Sequence, residues 1–470
     1  MVFAPLPPSP AGPSTAGHVF EEALRPLSPY ERLFCAIDRV NGFNFSLAVT
    51  FRGTISHVHW IAAFAQAKER HPLLSARINH DDPHAPVFIR AADLPIPLKF
   101  RQRSSPTEWQ RVIEAEQANP FDSSAGPFLR ATLLEDNEGC DLIVTANHVV
   151  LDGVGAVAFV GDLLAALAGE KLERLPVAPS AEDRTVHARS TTIQLTKVPQ
   201  ADGSRQQTVD ALPPRKFTRR IGTGAPTVDG LRFSHEQTAE LVRCSRQQQA
   251  TVGSVLIAAV ASALQTLSPA LKNGDIRMNV PIDARPYLDN AADFVLSIIG
   301  ARCIAPYPAK SLWESARAIR SQLMPWQSFA EIESTFNRMK AMMAMNLDPA
   351  SLIDTMGSKF GYDVTVTNLK HVHFATLPAA LSVEAVWGPS VLMGYEGEHT
   401  VGTATFDGAL HLVYTSHTPV AGLLNKVQTT IATACAEAEA TSGLPARGKV
   451  AKWMANGEAA CGQQLIPDSI

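Results

Sequence analysis

The sequence predicts a protein of the α/β class, in which mixed β-sheets are combined with helices in both halves of the chain. Short runs of alternating apolar and polar residues, typical of strands, are interleaved with amphipathic helical runs. The order of these runs shows no strict βαβ repeat, and no GxGxxG turn is present, so a nucleotide-binding Rossmann sheet is not expected. A stretch rich in Pro, Ser, Thr, Gln and Arg separates the two halves.

Length and composition limit the classes of function. A chain of 470 residues suggests two or three domains. Hydrophobic residues make up 46% and charged residues 18%, which is the composition of a globular protein. The net charge of -4 and the lack of a dense Lys/Arg block argue against nucleic acid as a partner. Six scattered cysteines without a CxxC pair or a Cys/His cluster predict no metal site and a reducing, cytoplasmic location.

The predicted domain boundaries follow the shifts in composition. Residues 1–26 are expected to be a flexible segment and not a secretory signal, because they lack a basic start followed by an apolar core. Residues 27–174 form the predicted N-terminal domain, 175–230 a linker or crossover, 231–445 the C-terminal domain and 446–470 a tail. No apolar run reaches the roughly 18 residues that span a bilayer, so no transmembrane segment is expected.

In the N-terminal domain, Ser28 is a candidate N-cap, followed by Pro29 at the first helical position and Glu31 at the third. The segment HPLLSARI, residues 71–78, is expected to end one helix and open a strand. The remaining predicted elements are strands over 44–51, 128–134 and 142–145 and helices over 57–71, 109–119 and 154–167.

In the C-terminal domain, helices are predicted over 237–249, 253–267 and 423–440. Strands are predicted over 276–281, 298–304, 362–366, 381–386, 401–406 and 410–415. Two or three methionine-rich helices occupy 313–356. Their stripe of Met339, Met342, Met343 and Met345 is expected to be adaptable core, and it would also suit the wall of an apolar substrate site.

The turn after the strand at 142–145 concentrates the polar chemistry, with Asn147, His148, Asp152 and Gly153 among Val, Leu and Ala. A histidine at the end of a buried strand suits general base catalysis, since its ordinary pKa is near neutral. Asp152, four residues later, can brace the loop, and Gly153 gives the backbone room to turn. Taken alone, this spacing favours a structural histidine, because such a pair occurs by chance in many chains.

The basic segment PPRKFTRR, residues 213–220, allows two interpretations. It could meet a phosphate-bearing ligand. A charged, solvated loop is the favoured interpretation, because most such runs are only solvated.

Five segments, in this order, resemble one superfamily of acyltransferases. They are HPLLSARI (71–78), NPFDSSAGPFLRATLL (119–134), NHVVLDG (147–153), NVPIDARPYL (279–288) and VTVTNLK (364–370). The third matches the signature HHxxxDG except at its first position. The chain thus resembles the acyltransferases related to chloramphenicol acetyltransferase. These include nonribosomal-peptide condensation domains, polyketide-associated acyltransferases, wax ester synthases and alcohol acetyltransferases. Asn147 in place of the first His, Lys370 where glycine is common, and the absence of a DFGWG segment are departures from these families.

The resemblance implies two similar domains side by side with a central tunnel, and an acyltransferase without a covalent acyl-enzyme or a bound cofactor. His148 would be the catalytic base, supported structurally by Asp152, Gly153 and Arg285. Asn147, Thr367 and Asn368 are candidates for oxyanion or substrate contacts.

The implied co-substrate is acyl-CoA or a phosphopantetheinyl thioester on an acyl or peptidyl carrier protein. The implied acceptor is a small alcohol or amine, and the implied setting is secondary or lipid metabolism. Two alternatives stay open: a non-catalytic descendant that binds a carrier protein or thioester, and a catalyst of another condensation or cyclisation.

Overall fold

The computed structural model describes residues 22–91, 94–188, 214–217, 224–289 and 294–441. The strands are β1 Ala23–Pro26, β2 Asn44–Arg52, β3 Ala76–Asn79, β4 Val87–Arg90, β5 Leu98–Gln102, β6 Leu129–Glu135, β7 Gly139–Asn147, β8 Thr227–Arg232, β9 Ile276–Asp283, β10 Ile298–Ala305, β11 Val364–His371, β12 Ser382–Val391, β13 His399–Phe406 and β14 Ala409–Ser416. The helices are α1 Pro29–Asn41, α2 His57–Arg70, α3 Glu108–Gln117, α4 Gly153–Leu167, α5 Ala181–Ala188, α6 His235–Gln247, α7 Val252–Leu267, α8 Leu312–Leu323, α9 Phe329–Met343, α10 Pro349–Phe360 and α11 Leu423–Thr441.

Three mixed or antiparallel sheets organise the described residues, which confirms the predicted α/β class. A five-stranded sheet has the order β12-β2-β7-β6-β5, and a six-stranded sheet has the order β10-β9-β11-β13-β14-β8. A small third sheet has the order β1-β4-β3. All nine residues of β7 are buried, because it is the central strand of the first sheet. This explains why its sequence is apolar over most of its length rather than strictly alternating.

The start of α1 is confirmed as predicted. The Ser28 hydroxyl accepts from the Glu31 backbone N–H at 3.2 Å, and the Glu31 carboxylate accepts from the Ser28 backbone N–H at 2.8 Å. Pro29 occupies the first helical position, where its missing N–H costs nothing. The segment 71–78 also behaves largely as expected, with a short 3₁₀-helix over Pro72–Ser75 before β3.

The predicted division into two domains separated by residues 175–230 is crossed by one strand. β12, from the C-terminal half, pairs antiparallel with β2, with Val386 opposite Val49. The helices α9 and α10 also pack against α1, and the ring of Phe336 lies 5.6 Å from that of Tyr30. The N-terminal sheet is therefore completed by residues more than 300 positions away, which the composition of the linker could not indicate.

The predicted linker is not wholly irregular. It contains α5 and the first part of β8, and Ala181 and Arg184 on α5 are buried. Residues 189–213 and 218–223 lie outside the described residues, as do most of the predicted N-terminal segment and the whole C-terminal tail. Of the methionine stripe, Met339, Met342 and Met343 are buried, whereas Met345 is 52% exposed and does not belong to the core.

Within the described part of the chain, we find no individual helix with the length and apolar character needed to cross a membrane. The consecutive helices α6 and α7 meet these criteria only as a pair, and they are bent by 101° with respect to each other. Most residues of α7 are buried in the protein core.

Candidate active site

His148 directly follows the last residue of β7. Its backbone N–H donates to the Phe43 carbonyl at 2.8 Å, which ties the end of β7 to the residue that precedes β2. The next three residues, Val149 to Leu151, are fully buried. The apolar side chains of the turn therefore pack in the core, and this packing fixes the positions of the polar residues on either side, His148 and Asp152.

The imidazole of His148 has a defined orientation. Its Nδ1 lies 3.0 Å from the carbonyl oxygen of Leu151. A carbonyl oxygen only accepts, so Nδ1 carries the proton and Nε2 keeps its lone pair. His148 lines a cavity, and Nε2 has no hydrogen-bond partner among the described residues. Nε2 is thus available to accept a proton from a molecule in the cavity.

The surroundings of the imidazole are aromatic and largely buried. The rings of Phe34, Phe43 and Phe45 have centroids 5.2, 4.8 and 4.8 Å from that of His148. Burial lowers the pKa of His148 to about 4, although the Asp152 carboxylate acts in the opposite direction. The imidazole is therefore neutral at physiological pH, as a general base must be before it reacts.

Asp152 is buried and points away from the cavity. It is the N-cap of α4 and accepts from the Gly155 backbone N–H at 3.0 Å. Its two oxygens also accept from the Arg285 guanidinium at 2.9 and 3.0 Å, and from the Ser297 backbone N–H at 2.8 Å. The structure thus brings together Asp152 and Arg285, the pair to which the resemblance assigned a supporting role.

Gly153 is needed for space rather than for backbone freedom. It lies at the first position of α4 and has no positive φ. A Cβ at this residue would lie 2.9 Å from both the Leu369 Cδ2 and the Pro389 Cγ atoms, which belong to β11 and β12. Gly153 was expected to give the backbone room to turn; the room it provides lies between α4 and the strands β11 and β12 of the other half.

Arg184 is a supporting residue that the sequence interpretation missed. It is 3% exposed and donates to the hydroxyl of Ser297, whose backbone N–H in turn donates to Asp152. Because Arg184 lies on α5, a residue of the predicted linker supports Asp152 through Ser297. A sequence signal for this role is weak, because α5 is short and no local pattern links Arg184 to residues over 100 positions away.

A cavity of about 800 Å³ lies between the two halves, where the tunnel was expected. Tyr30, Leu33, Phe34 and Phe43 of the N-terminal half line it beside His148. Residues of α9, α10 and four strands of the six-stranded sheet complete the wall. Among these are Met339, Met356, Asn279, Thr365 and Thr400. Of the methionine stripe, Met339 lines the cavity, whereas Met342, Met343 and Met345 do not; Met356, which lines it too, lies outside the stripe.

The three candidates for oxyanion or substrate contact do not line this cavity. Asn147 is fully buried, and its side-chain oxygen accepts from the Val149 backbone N–H at 2.9 Å, so it shapes the turn. The Asn368 side chain accepts from the Lys370 backbone N–H at 2.7 Å.

Thr367 is displaced from the cavity by β12. Its register partner on β13 is Gly402, where any Cβ would clash with the Pro389 carbonyl. β12 thus covers the sheet at this row. Thr365, two residues earlier on the same face, lies in the cavity wall instead.

The described part of the basic segment is held against the C-terminal half. Arg215 forms an ion pair with Asp363, which also binds Arg277. The ring of Phe217 packs on that of Tyr395 at 4.2 Å. Arg215 and Phe217 are thus half-buried against the C-terminal half, whereas Pro214 and Lys216 are exposed; Pro213 and residues 218–220 lie outside the described residues.

A family model described as Condensation domain matches residues 36–300, more than half of the chain. The chain belongs to the condensation domain family. This confirms the predicted superfamily.

Nonribosomal peptide synthetase 5 of Gibberella zeae is 29% identical over 160 residues, which are 32% of this chain and 1% of that protein. Bacitracin synthase 3 of Bacillus licheniformis is 26% identical over 153 residues, 30% of this chain and 2% of that protein. The chain thus matches a small fraction of the length of these relatives.

Solved condensation domains and acetyltransferases share the fold. Polyketide synthase associated protein 5 from Mycobacterium tuberculosis is 18% identical, with a TM-score of 0.60 over 89% of this chain and 98% of that one. The first condensation domain of the calcium-dependent antibiotic synthetase, in complex with a substrate analogue, is 14% identical, with a TM-score of 0.61 over 89% and 97%. The trichothecene 15-O-acetyltransferase TRI3 of Fusarium sporotrichioides is 13% identical, with a TM-score of 0.58 over 87% and 94%. The predicted two-lobed fold is confirmed.

Proposed function

We propose that this condensation-family chain is an acyltransferase that moves an acyl group from a thioester to a hydroxyl or amine. The observation that carries the proposal is the orientation of His148. Its Nδ1–H is fixed on the Leu151 carbonyl, and its ring lines a cavity large enough for a small molecule. A neutral imidazole with a free Nε2 at such a place can act as a general base.

In the proposed reaction, Nε2 of His148 takes the proton of the acceptor O–H or N–H as the acceptor attacks the thioester carbonyl carbon. The tetrahedral intermediate then collapses, the C–S bond breaks, and the imidazolium returns the proton to the departing thiolate. The products are an ester or amide and a free thiol. No step forms a covalent acyl-enzyme, and no metal or cofactor takes part.

The low pKa of His148 has a consequence for this step. Burial disfavours the imidazolium that forms in the transition state, and the Asp152 carboxylate opposes this effect. Asp152 does not contact the cavity, so its influence is electrostatic and positional. We propose that Asp152 and Arg285 hold the loop of His148 and take no part in proton transfer.

The donor is proposed to be either acyl-CoA or an acyl group on a carrier protein. The relatives named as peptide synthetases favour a carrier, and the relative named as an acetyltransferase shows that the fold also supports O-acetylation. Arg215 of the basic segment is engaged with Asp363, which removes one argument for a CoA phosphate site there.

The non-catalytic alternative rests on Asn147 in place of histidine. The Asn147 side chain is buried and hydrogen-bonded to the turn, so the replacement removes no group from the cavity wall. This favours a catalytic protein over one that only binds a thioester or carrier. A different condensation or cyclisation would use the same base and is separated from acyl transfer by its product.

The test is a panel of acyl-CoA and acyl-carrier donors with alcohol and amine acceptors, with products identified by mass spectrometry. Wild type is expected to form an ester or amide with at least one pair, and His148→Ala to lose about 10²–10⁴-fold in rate. His411→Ala is the matched control, because His411 is also buried, 0% exposed against 7% for His148, but does not line the cavity. A folded His148→Ala protein with wild-type turnover would refute the assignment. Binding of a thioester or carrier without any turnover would favour the non-catalytic alternative.

A further inference from the structure

A row of polar side chains crosses the floor of the cavity. Arg302 on β10 is the register partner of Asn279 on β9, which opposes Thr365 on β11, which opposes Thr400 on β13. Directly opposed residues share one face of a sheet, and all four line the cavity. With strands about 4.8 Å apart, the row is about 14 Å long.

Apolar side chains lie close to His148. The rings of Phe34 and Phe43 pack against its imidazole, and Leu33, Met339 and Met356 also line the cavity. A molecule that fills this cavity therefore meets apolar side chains as well as the row of hydrogen-bonding groups.

Two hydroxyls in this wall have no partner within the protein. Thr400 is fully buried and Tyr395 is 4% exposed, and neither hydroxyl oxygen forms a hydrogen bond among the described residues. Both residues line the cavity. A buried hydroxyl without a partner costs free energy, so such groups are uncommon in folded proteins unless something else uses them.

Neighbouring polar groups of the same wall do have partners. The Asn279 amide donates to the Thr365 hydroxyl at 3.2 Å, and the Tyr362 hydroxyl donates to the Glu398 carboxylate at 3.0 Å. The Glu398 carboxylate also accepts from the backbone N–H groups of residues 393–395 at 2.7 to 3.1 Å. The unpaired hydroxyls are therefore specific to Thr400 and Tyr395 and do not reflect a generally unsatisfied wall.

We infer that Thr400 and Tyr395 are substrate-binding residues that select a molecule with an apolar body and hydroxyl or amide groups along one edge. The inference rests on the proposed function, since these residues share the cavity of His148. The hydrogen-bonding edge can belong to the acceptor or to the arm of the thioester donor. The ring of Tyr395 packs against those of Phe217 and Tyr362.

Stability is the first readout. Thr400→Val and Tyr395→Phe remove an unpaired hydroxyl with little change in shape, so the Tm of each variant is expected to equal or exceed that of wild type. Tyr362→Phe is the control: it removes a paired hydroxyl from the same wall and is expected to lower Tm. If Thr400→Val and Tyr395→Phe lower Tm as much as Tyr362→Phe, their hydroxyls have internal partners and the inference is overturned.

Substrate selection is the second readout, measured with an acyl group that supports turnover. One arm compares 1,4-cyclohexanedimethanol with cyclohexylmethanol as acceptor; the other compares an acyl-pantetheine with the octyl thioester of the same acid as donor. One of these two substrates, acceptor or donor, supplies the hydrogen-bonding edge. In that comparison, Thr400→Val is expected to lower kcat/KM about tenfold for the more polar compound of the pair, mainly by raising KM. Its effect on the apolar member is expected to be less than twofold.

The outcomes separate this inference from the proposed function. Turnover with equal effects of Thr400→Val on both members of both pairs would overturn the inference and leave acyl transfer intact. Absence of turnover, with calorimetric binding of the polar member that is weakened in Thr400→Val and Tyr395→Phe, would support the binding site and overturn the proposed reaction. Absence of both turnover and binding would overturn both.

Discussion

Replacement of Arg285 by alanine should destabilise the loop that carries His148. Arg285 donates two hydrogen bonds to Asp152, which is 1% exposed, and removal of the guanidinium leaves that carboxylate with only two backbone N–H donors. Loss of one partner from a buried ion pair costs about 3–5 kcal/mol. Since native proteins are stable by only about 5–15 kcal/mol, the loss is a large share of the total.

Urea denaturation of wild type, Arg285→Ala, Asp152→Ala and the double variant measures this cost. The two single substitutions break the same pair, so the double variant should lose clearly less than the sum of the single losses. Arg25→Ala is the matched control. Arg25 binds Glu31, which is 2% exposed, through two hydrogen bonds of 2.7 Å, but it lies outside the cavity wall. It should cost similar stability and leave the turnover of folded protein unchanged.

The kinetic consequence distinguishes positioning from binding. Arg285 does not line the cavity, so folded Arg285→Ala should show a lower kcat with little change in KM. A loss of stability below about 1 kcal/mol, or additive losses in the double variant, would refute the energetic reasoning. A wild-type kcat in the folded variant would show that the loop of His148 does not need the pair.

Three further outcomes follow from the structure. Since the pKa of His148 is lowered to about 4, kcat/KM should stay level from pH 8 to about 5 and halve near pH 4, with folding checked by circular dichroism; a midpoint near 6.5 would contradict the burial of the imidazole. Gly153→Ala should lower the free energy of unfolding by about 1–3 kcal/mol through its contacts with Leu369 and Pro389, and an unchanged urea midpoint would show that these residues yield. Ser28→Ala should cost about 1 kcal/mol by removing the cap of α1, and no loss would mean that the cap is dispensable.

The features that the sequence predicted correctly are those with a local physical cause. The cap of α1 is read from Ser28, Pro29 and Glu31, because their hydrogen bonds close within one helical turn. The strand and turn that place His148 follow from a run of apolar residues interrupted by four polar or small ones. The resemblance over five segments then supplied the superfamily and the two-lobed fold, which local patterns alone do not provide.

The features that were missed depend on contacts between distant residues. β12 pairs with β2 because both have a strand pattern and a compatible face, but the residues around either strand carry no signal that indicates which strand it pairs with. The contact candidates Thr367 and Asn368 were placed two or three residues too far along β11, since the row that reaches the cavity is set by where β12 covers the sheet. Thr365 and Thr400 carry no local signal and emerge only from the register of three strands.

Asp152 links the positioning of the base to the assembly of the cavity. Within the N-terminal half it caps α4 through the Gly155 N–H, which is a local interaction. Its remaining donors, Arg285 and the Ser297 N–H, come from the other half, and Arg184 supports Ser297 from the connecting segment. Separating the halves would leave a buried carboxylate to be rehydrated and would open the cavity at the same time. The contacts that hold the loop of His148 thus also join the two halves, between which the cavity lies.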